Sequence, residues 1–214
     1  PVSMPGMMDT ILNLGLNDAT VEGLTKLSGN ASFAWDSYRR FVQMYGGVVY
    51  DIPKKEFESR LHAHKQRAGV TRDIDLPLAS VQAMVREFKA LVEERTGHAF
   101  PESPLDQLWG AVAAVFESWN TPRAIDYRHM HGIPDTMGTA VNVVAMVFGN
   151  MGEDSGTGVA FTRDPSTGEK VPYGDYLENA QGEDVVAGIR NTKRIAELAR
   201  IDPESYRELI GDPM

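Results

Sequence analysis

Three stretches of the chain combine residue types that could do chemistry. SMPGMMDT (residues 3–10) holds a glycine, a proline, a hydroxyl at each end and a flexible methionine pair, so it can offer backbone N–H groups to an anion without steric cost. It matches no Walker-type loop, and on residue type alone a plain surface loop leading into ILNLGL is the commoner outcome. NMGEDSGTGVAFTRDPSTGE (150–169) has a Gly-polar-Gly turn feeding a strand and then a second turn at Asp164-Pro165-Ser166-Thr167-Gly168. A hairpin whose tip meets phosphates would use Thr157 as hydroxyl donor and Arg163 as charge partner, and an ordinary two-turn hairpin fits the same residues equally well. In YLENAQGEDVVAGIR (176–190), Glu178, Glu183 and Asp184 lie close enough in sequence to suggest magnesium bridging phosphates, although exposed carboxylates at strand ends are commoner.

The remaining titratable groups point elsewhere. His62 and His64 stand two apart on a charged helix, face different directions and make a poor zinc pair, so both are expected to be solvated. His129 and His131 beside Arg128 read as helix-end capping or exposed residues. The Arg39-Arg40 pair reads as a solvated face, and Trp109, Phe116 and Trp119 fall at helical spacing and read as core. No Ser/His/Asp relay follows from spacing, and the absence of cysteine excludes thiolate chemistry and disulfides and fits a reducing cytosol.

The elements that must position these residues change character along the chain. Apolar residues at Val21, Leu24 and Leu27 predict a helix stopped at Ser28-Gly29-Asn30, and ASFAWDSYRRFVQMY predicts a second. KKEFESRLHAHKQRAG after Pro53 predicts a short charged helix with a thin apolar stripe, VQAMVREFKALVEERTG a longer amphipathic one, and LDQLWGAVAAVFESW another beyond Pro101 and Pro104. After residue 133 the β-branched run TAVNVVAMVFGN, then GTGVAFTRDP, PYGDYLEN and DVVAGI, predict strands, and IDPESYRELI returns to a helical pattern. The expected division is a loop and lead-in over 1–17, a helical subdomain over 18–132 and a β-rich segment with a C-terminal helix over 133–214.

The length of 214 residues and the 42% hydrophobic content suffice for a sizeable core. No apolar run approaches the roughly 20 residues of a membrane span, and the net charge of −9 argues against a general nucleic-acid surface. An opening loop so rich in special residues reads as the interior of a longer protein.

The wording of five stretches is more specific than their pattern. SMPGMMDTILNLGLND, DSYRRFVQMYG, FESWNTPRAIDYR, GTAVNVVAMVFGNMGEDSGTGVAFTRDPSTGE and YGDYLENAQGEDVVAGIR occur in an order that closely resembles the pyruvate, phosphate dikinase family over nearly the whole chain. That resemblance implies an α+β fold: part of an ATP-grasp-type nucleotide-binding domain with a large all-helical insert and a small mixed or antiparallel sheet. It implies an enzyme interconverting ATP, phosphate and pyruvate with AMP, pyrophosphate and phosphoenolpyruvate through a phosphohistidine on another domain, with Mg2+ and a homodimeric full-length protein. By family motif, Ser3, Gly6, Asp9 and Thr10 belong to a mobile loop over the ATP phosphates, Met146 and Val147 to the strand that meets adenine, and Thr157 and Glu183 to the nucleotide cleft. Arg123, Ser166 and Asp175, with Arg39 as a weaker candidate, belong to the surface where the phosphohistidine domain docks. The family's lysine and arginine before this stretch, and its magnesium carboxylates and closing arginine after it, are not in this sequence, so the segment alone is expected to be inactive. After Arg190 the run NTKRI departs from the family pattern. The alternatives are the ATP module of a related phosphoenolpyruvate synthase or phosphotransferase, or a non-catalytic docking module for the phosphohistidine domain.

Overall fold

The computed structural model describes residues 2–186 and 191–211, without the side chain of Glu183. The chain is α+β, mostly helical, with one small antiparallel sheet, and it divides into two compact units, residues 1–146 and 147–214.

The first unit is built from α1 (Thr20–Ser28), α2 (Ala31–Val49), α3 (Lys54–Ala68), α4 (Leu78–Thr96), α5 (Pro104–Glu117) and α6 (Pro122–His131). Local chemistry sets the boundaries. The Asn30 side chain accepts from the Phe33 amide at 3.1 Å and caps α2, Ser103 caps α5 with Pro104 in the first turn, and Pro122 opens α6. Helix α2 forms the centre: Phe33, Tyr38, Phe41, Val42 and Tyr45 are buried among Val21 of α1, Phe57 of α3 and the stripe Val81, Met84, Val85, Phe88, Leu91 and Val92 of α4. The rings lock edge to face, Phe57 on Phe88 at 5.0 Å and Tyr45 on Phe100 at 5.4 Å between centroids. Burying each such side chain stabilises the fold by about 1.5–3 kcal/mol.

Several expectations are corrected here. Trp109 and Phe116 are not core: they are 68% and 48% exposed. Helix α5 instead turns Gln107, Ala111 and Ala114 inward, and a side chain at Gly110 would collide with the Tyr45 hydroxyl, so α2 packs on the small-residue face and leaves the large one outward. Arg39 is not on a solvated face but 3% exposed. Its Nε donates to Asp36 Oδ1 at 2.7 Å, while Arg40 Nε donates to Asp36 Oδ2 at 2.9 Å. Burial alone would raise the Asp36 carboxyl, but the two guanidinium groups hold it below the usual carboxylate range. His64 is buried too, with Nε2 at 3.1 Å from Glu87 Oε1, because α3 presents only Phe57 and His64 to the core; His62 remains exposed. Arg128 is likewise buried, lying over the Trp119 ring and donating to Asp135, whereas His129 and His131 are exposed.

The second unit holds β1 (Gly156–Phe161), β2 (Tyr173–Glu178), α7 (Gly182–Val186), β3 (Lys193–Arg194), α8 (Ile195–Ile201) and α9 (Pro203–Ile210). Strand β2 is central and antiparallel to both neighbours, with Gly156 opposite Glu178, Phe161 opposite Tyr173 and Asp175 opposite Arg194. Gly174, at φ +151°, lets β2 pass beneath Ile195, whose Cδ1 would lie 2.9 Å from an added Cβ. The Asp164 carboxylate accepts from the Ser166 amide at 2.7 Å and the Thr167 amide at 3.2 Å, closing the turn between β1 and β2.

Two expected strands are absent among the described residues. Residues 139–148 take no regular structure, and Val143, Val144 and Val147 are exposed, because strand propensity forms no ladder without a pairing strand. Residues 182–186 of the DVVAGI region form α7 instead, where Asp184 Oδ2 accepts from the Gln181 amide at 3.0 Å; residues 187–190 lie outside the described residues. The run after Arg190 supplies β3 and opens α8.

Candidate functional site

The first group of candidate residues gathers at the opening loop. The Met7 amide donates to the Met4 carbonyl at 3.1 Å, closing a turn with Gly6 at φ +71°. A left-handed backbone, not lack of space, demands glycine there, since nothing lies within 4 Å of an added Cβ. Ser3, Gly6 and Thr10 are exposed, and Asp9 is half-buried.

Below the tip the loop is pinned. The Asp9 amide donates to Ser118 Oγ at 3.1 Å, and that hydroxyl donates onward to the Val115 carbonyl at 2.7 Å. Arg123, on the first turn of α6, donates from Nε to the Met7 carbonyl at 3.1 Å and from Nη2 to the Asp9 carboxylate. Further along, the Gly15 amide donates to Gln107 Oε1 at 2.9 Å, while Gln107 Nε2 donates to the carbonyls of Leu16 and Pro101. The fully buried Gln107 thus replaces backbone partners that the irregular segment lacks.

Arg123 was expected on a docking surface and Asp9 in the phosphate loop; the fold joins them in one ion pair. Ser118 and Gln107 escaped the sequence reading. Their signals were weak: Gln107 is a single polar residue inside an apolar stripe, and Ser118 sits just before the Thr121-Pro122 break. Arg39 belongs to a different cluster, with Asp36, Gln43 at 3.3 Å and Asp73 at 3.8 Å.

The second unit carries the rest. Thr157 lies on β1 opposite Leu177, with its hydroxyl 3.9 Å from the place of a Cβ on Gly182. Ser166 is exposed in the Asp164 turn, and Arg163 Nη1 donates to the Gly168 carbonyl at 3.1 Å. Asp175, on β2, has Arg194 Nε at 3.7 Å. The Glu183 side chain lies outside the described residues. Met146 and Val147 fall in the irregular run 139–148, with Val147 exposed.

Of the three carboxylates considered for magnesium, Glu178 accepts from Lys193 Nζ at 2.8 Å, and that hydrogen bond holds its carboxyl below the usual range. Asp184 is engaged by the Gln181 amide. Among the described residues no group of three or more His, Cys, Asp or Glu side chains is placed to hold a metal ion. A groove of about 690 Å3 lies elsewhere in the helical unit, lined by Asn17, Asp18, Lys89, Phe100 and Glu102 among others. Its ammonium is already taken up by Asp18 and Glu102, which outweigh burial and hold Lys89 above its ordinary value. Among the described residues no helix is long and apolar enough to cross a membrane.

Comparison with known proteins agrees with the wording of the loop and hairpin. The family model described as "Pyruvate phosphate dikinase, AMP/ATP-binding domain" matches residues 1–207. The pyruvate, phosphate dikinase of Clostridium symbiosum is 58% identical over 209 residues, 97% of this chain and 24% of that protein. That of Rhizobium meliloti is 59% identical over 199 residues, covering 93% of this chain and 22% of the relative. The chloroplastic pyruvate, phosphate dikinase 1 of Arabidopsis thaliana is 54% identical over 209 residues, covering 98% and 22%. The chain therefore spans about a quarter of the length of the curated relatives it matches.

Proposed function

The chain belongs to the pyruvate phosphate dikinase family, in its AMP/ATP-binding domain, and from that premise we propose that it builds part of an ATP-grasp-type nucleotide site. In this reading the Ser3–Thr10 loop is a phosphate lid: its tip brings backbone N–H groups to the polyphosphate, and Gly6 permits the close approach. Met146 and Val147 offer backbone groups to adenine, the Thr157 hydroxyl faces the phosphates from the hairpin, and Glu183 is an acidic position of the cleft. Ser166 and Asp175 of the second unit, and Arg123 of the first, are each proposed to meet the phosphohistidine domain. Arg39, itself buried and paired with the partly exposed Asp36 and Asp73, is left a structural part. The division into a loop over 1–17, a helical subdomain over 18–132 and a β-rich segment over 133–214 belongs to the same proposal.

The whole protein is proposed to interconvert ATP, phosphate and pyruvate with AMP, pyrophosphate and phosphoenolpyruvate, as a homodimer in a reducing cytosol. Phosphoryl transfer rests on in-line positioning and neutralisation of charge by metal and cations. Magnesium would neutralise phosphate charge, and its ligands are proposed to come from elsewhere in the family's longer chain. The residues described here bind and orient the nucleotide, and the segment by itself is inactive.

The observation that carries this reading is the family match over residues 1–207. Isothermal titration with ATP and magnesium tests it, on this chain and on a longer chain extended at both ends to family length. Binding by the longer chain that weakens on Gly6→Pro supports it. Absence of adenine nucleotide binding by the longer chain overturns it.

A further inference from the structure

Asp9 is held at both its ends by groups more than 100 residues away. Its amide donates to Ser118 Oγ, a hydroxyl that is itself fixed on the Val115 carbonyl in a residue only 2% exposed. Its carboxylate meets the Arg123 guanidinium, and the same guanidinium reaches the Met7 carbonyl. Met7 in turn closes the Met4–Met7 turn that carries Gly6. Two side chains from adjacent elements, the turn after α5 and the start of α6, thus fix the base of the loop while its tip stays exposed.

We propose that Ser118 and Arg123 form a latch on Asp9 that sets the orientation of the 3–10 loop, making Arg123 a positioning residue for phosphate recognition. Two physical consequences follow. An unpaired Asp9 carboxylate at the base of a phosphate lid would repel the polyphosphate, and the Arg123 pairing neutralises it. The Arg123 side chain is 51% exposed and the Asp9 side chain 26%, so the pair is accessible to a competing anion. Any acidic group that captures Arg123 releases both the Met7 carbonyl and the Asp9 carboxylate, loosening the lid. The docking role given to Arg123 above and the latch therefore exclude each other at any one moment. The functional consequence rests on the nucleotide reading above; the latch itself does not.

Amide hydrogen exchange on the chain without nucleotide tests the latch first. Arg123→Gln and Asp9→Asn are each expected to speed exchange at the hydrogen-bonded Met7 and Asp9 amides about fivefold while α2 and α4 amides are unmoved, the size of a partly exposed ion pair. The double variant Asp9→Asn/Arg123→Gln is expected to be no faster than the faster single one, since both remove the same pair. Unchanged exchange at these amides, or additive effects in the double variant, overturns the latch. ATP and adenosine are then titrated against the same variants in the family-length chain. Weaker ATP binding with adenosine binding unchanged supports phosphate positioning by Arg123, and equal loss for both ligands overturns it. If no variant, nor the parent, binds ATP while exchange changes as described, the latch stands and the nucleotide reading falls.

Discussion

Replacing Arg39 with methionine keeps much of the length of a 3% exposed side chain while deleting its charge and its donors to Asp36 and Gln43. Removing one partner of a buried ion pair costs about 3–5 kcal/mol, because the other charge is left in a poorly solvated place. Here Asp36 keeps Arg40 Nε at 2.9 Å, and its side chain is 22% exposed, so the loss falls at the low end of that range. The assay is urea unfolding followed by circular dichroism at neutral pH. The pH dependence supplies a second reading. The Asp36 carboxyl is held below its ordinary value, so its contribution is fully present above the unfolded pKa of about 4 and is lost as pH falls through the lower folded value. The gap between parent and Arg39→Met is therefore expected to narrow below about pH 4. Adding Asp36→Asn to Arg39→Met is expected to recover part of the loss, since no orphaned charge remains. A loss below about 1 kcal/mol at neutral pH, the size of an exposed ion pair, or a gap that stays constant into acid, would refute the reasoning.

Phe88→Ala opens a cavity against Phe57 and is expected to cost about 3–5 kcal/mol in the same urea experiment. Gly174→Ala drives a methyl into the Val159 carbonyl at φ +151°, and amide exchange along β1 and β2 is expected to lose its protection while α2 and α4 keep theirs. Lys193→Ala removes the largest of the hydrogen bonds that hold Glu178 low; an NMR titration is expected to show that carboxyl moving upward, toward its ordinary range. Because a depressed carboxyl contributes fully above its unfolded pKa and loses that contribution as pH falls through its lower folded value, any stability lost with Lys193 is expected in full at neutral pH and to vanish in acid.

Most helices of the first unit, and α9, were legible because their signals are local. Asn30 capping α2, Pro104 and Pro122 opening α5 and α6, and the apolar stripe of α4 depend on neighbours within a few residues, and so do β1, β2 and the Asp164 turn between them. The loop's wording likewise sufficed to point to its family. What the amino-acid order left open is which face meets which partner. The periodicity of α5 marks two faces, and only the close approach of α2 at Gly110 selected the small one for burial. The run 139–148 has strand propensity, but a strand exists only where another chain segment completes the ladder. His64 and Arg39 read as solvated because charged neighbours surround them in sequence, yet the aromatic packing of α2, α3 and α4 carried both inside. Local order therefore determined where elements begin and end, through caps, turns and periodicity. Tertiary structure alone decided that Asp9 meets Arg123 across 114 positions, because an ion pair depends on distance in space and no pattern within either segment encodes it.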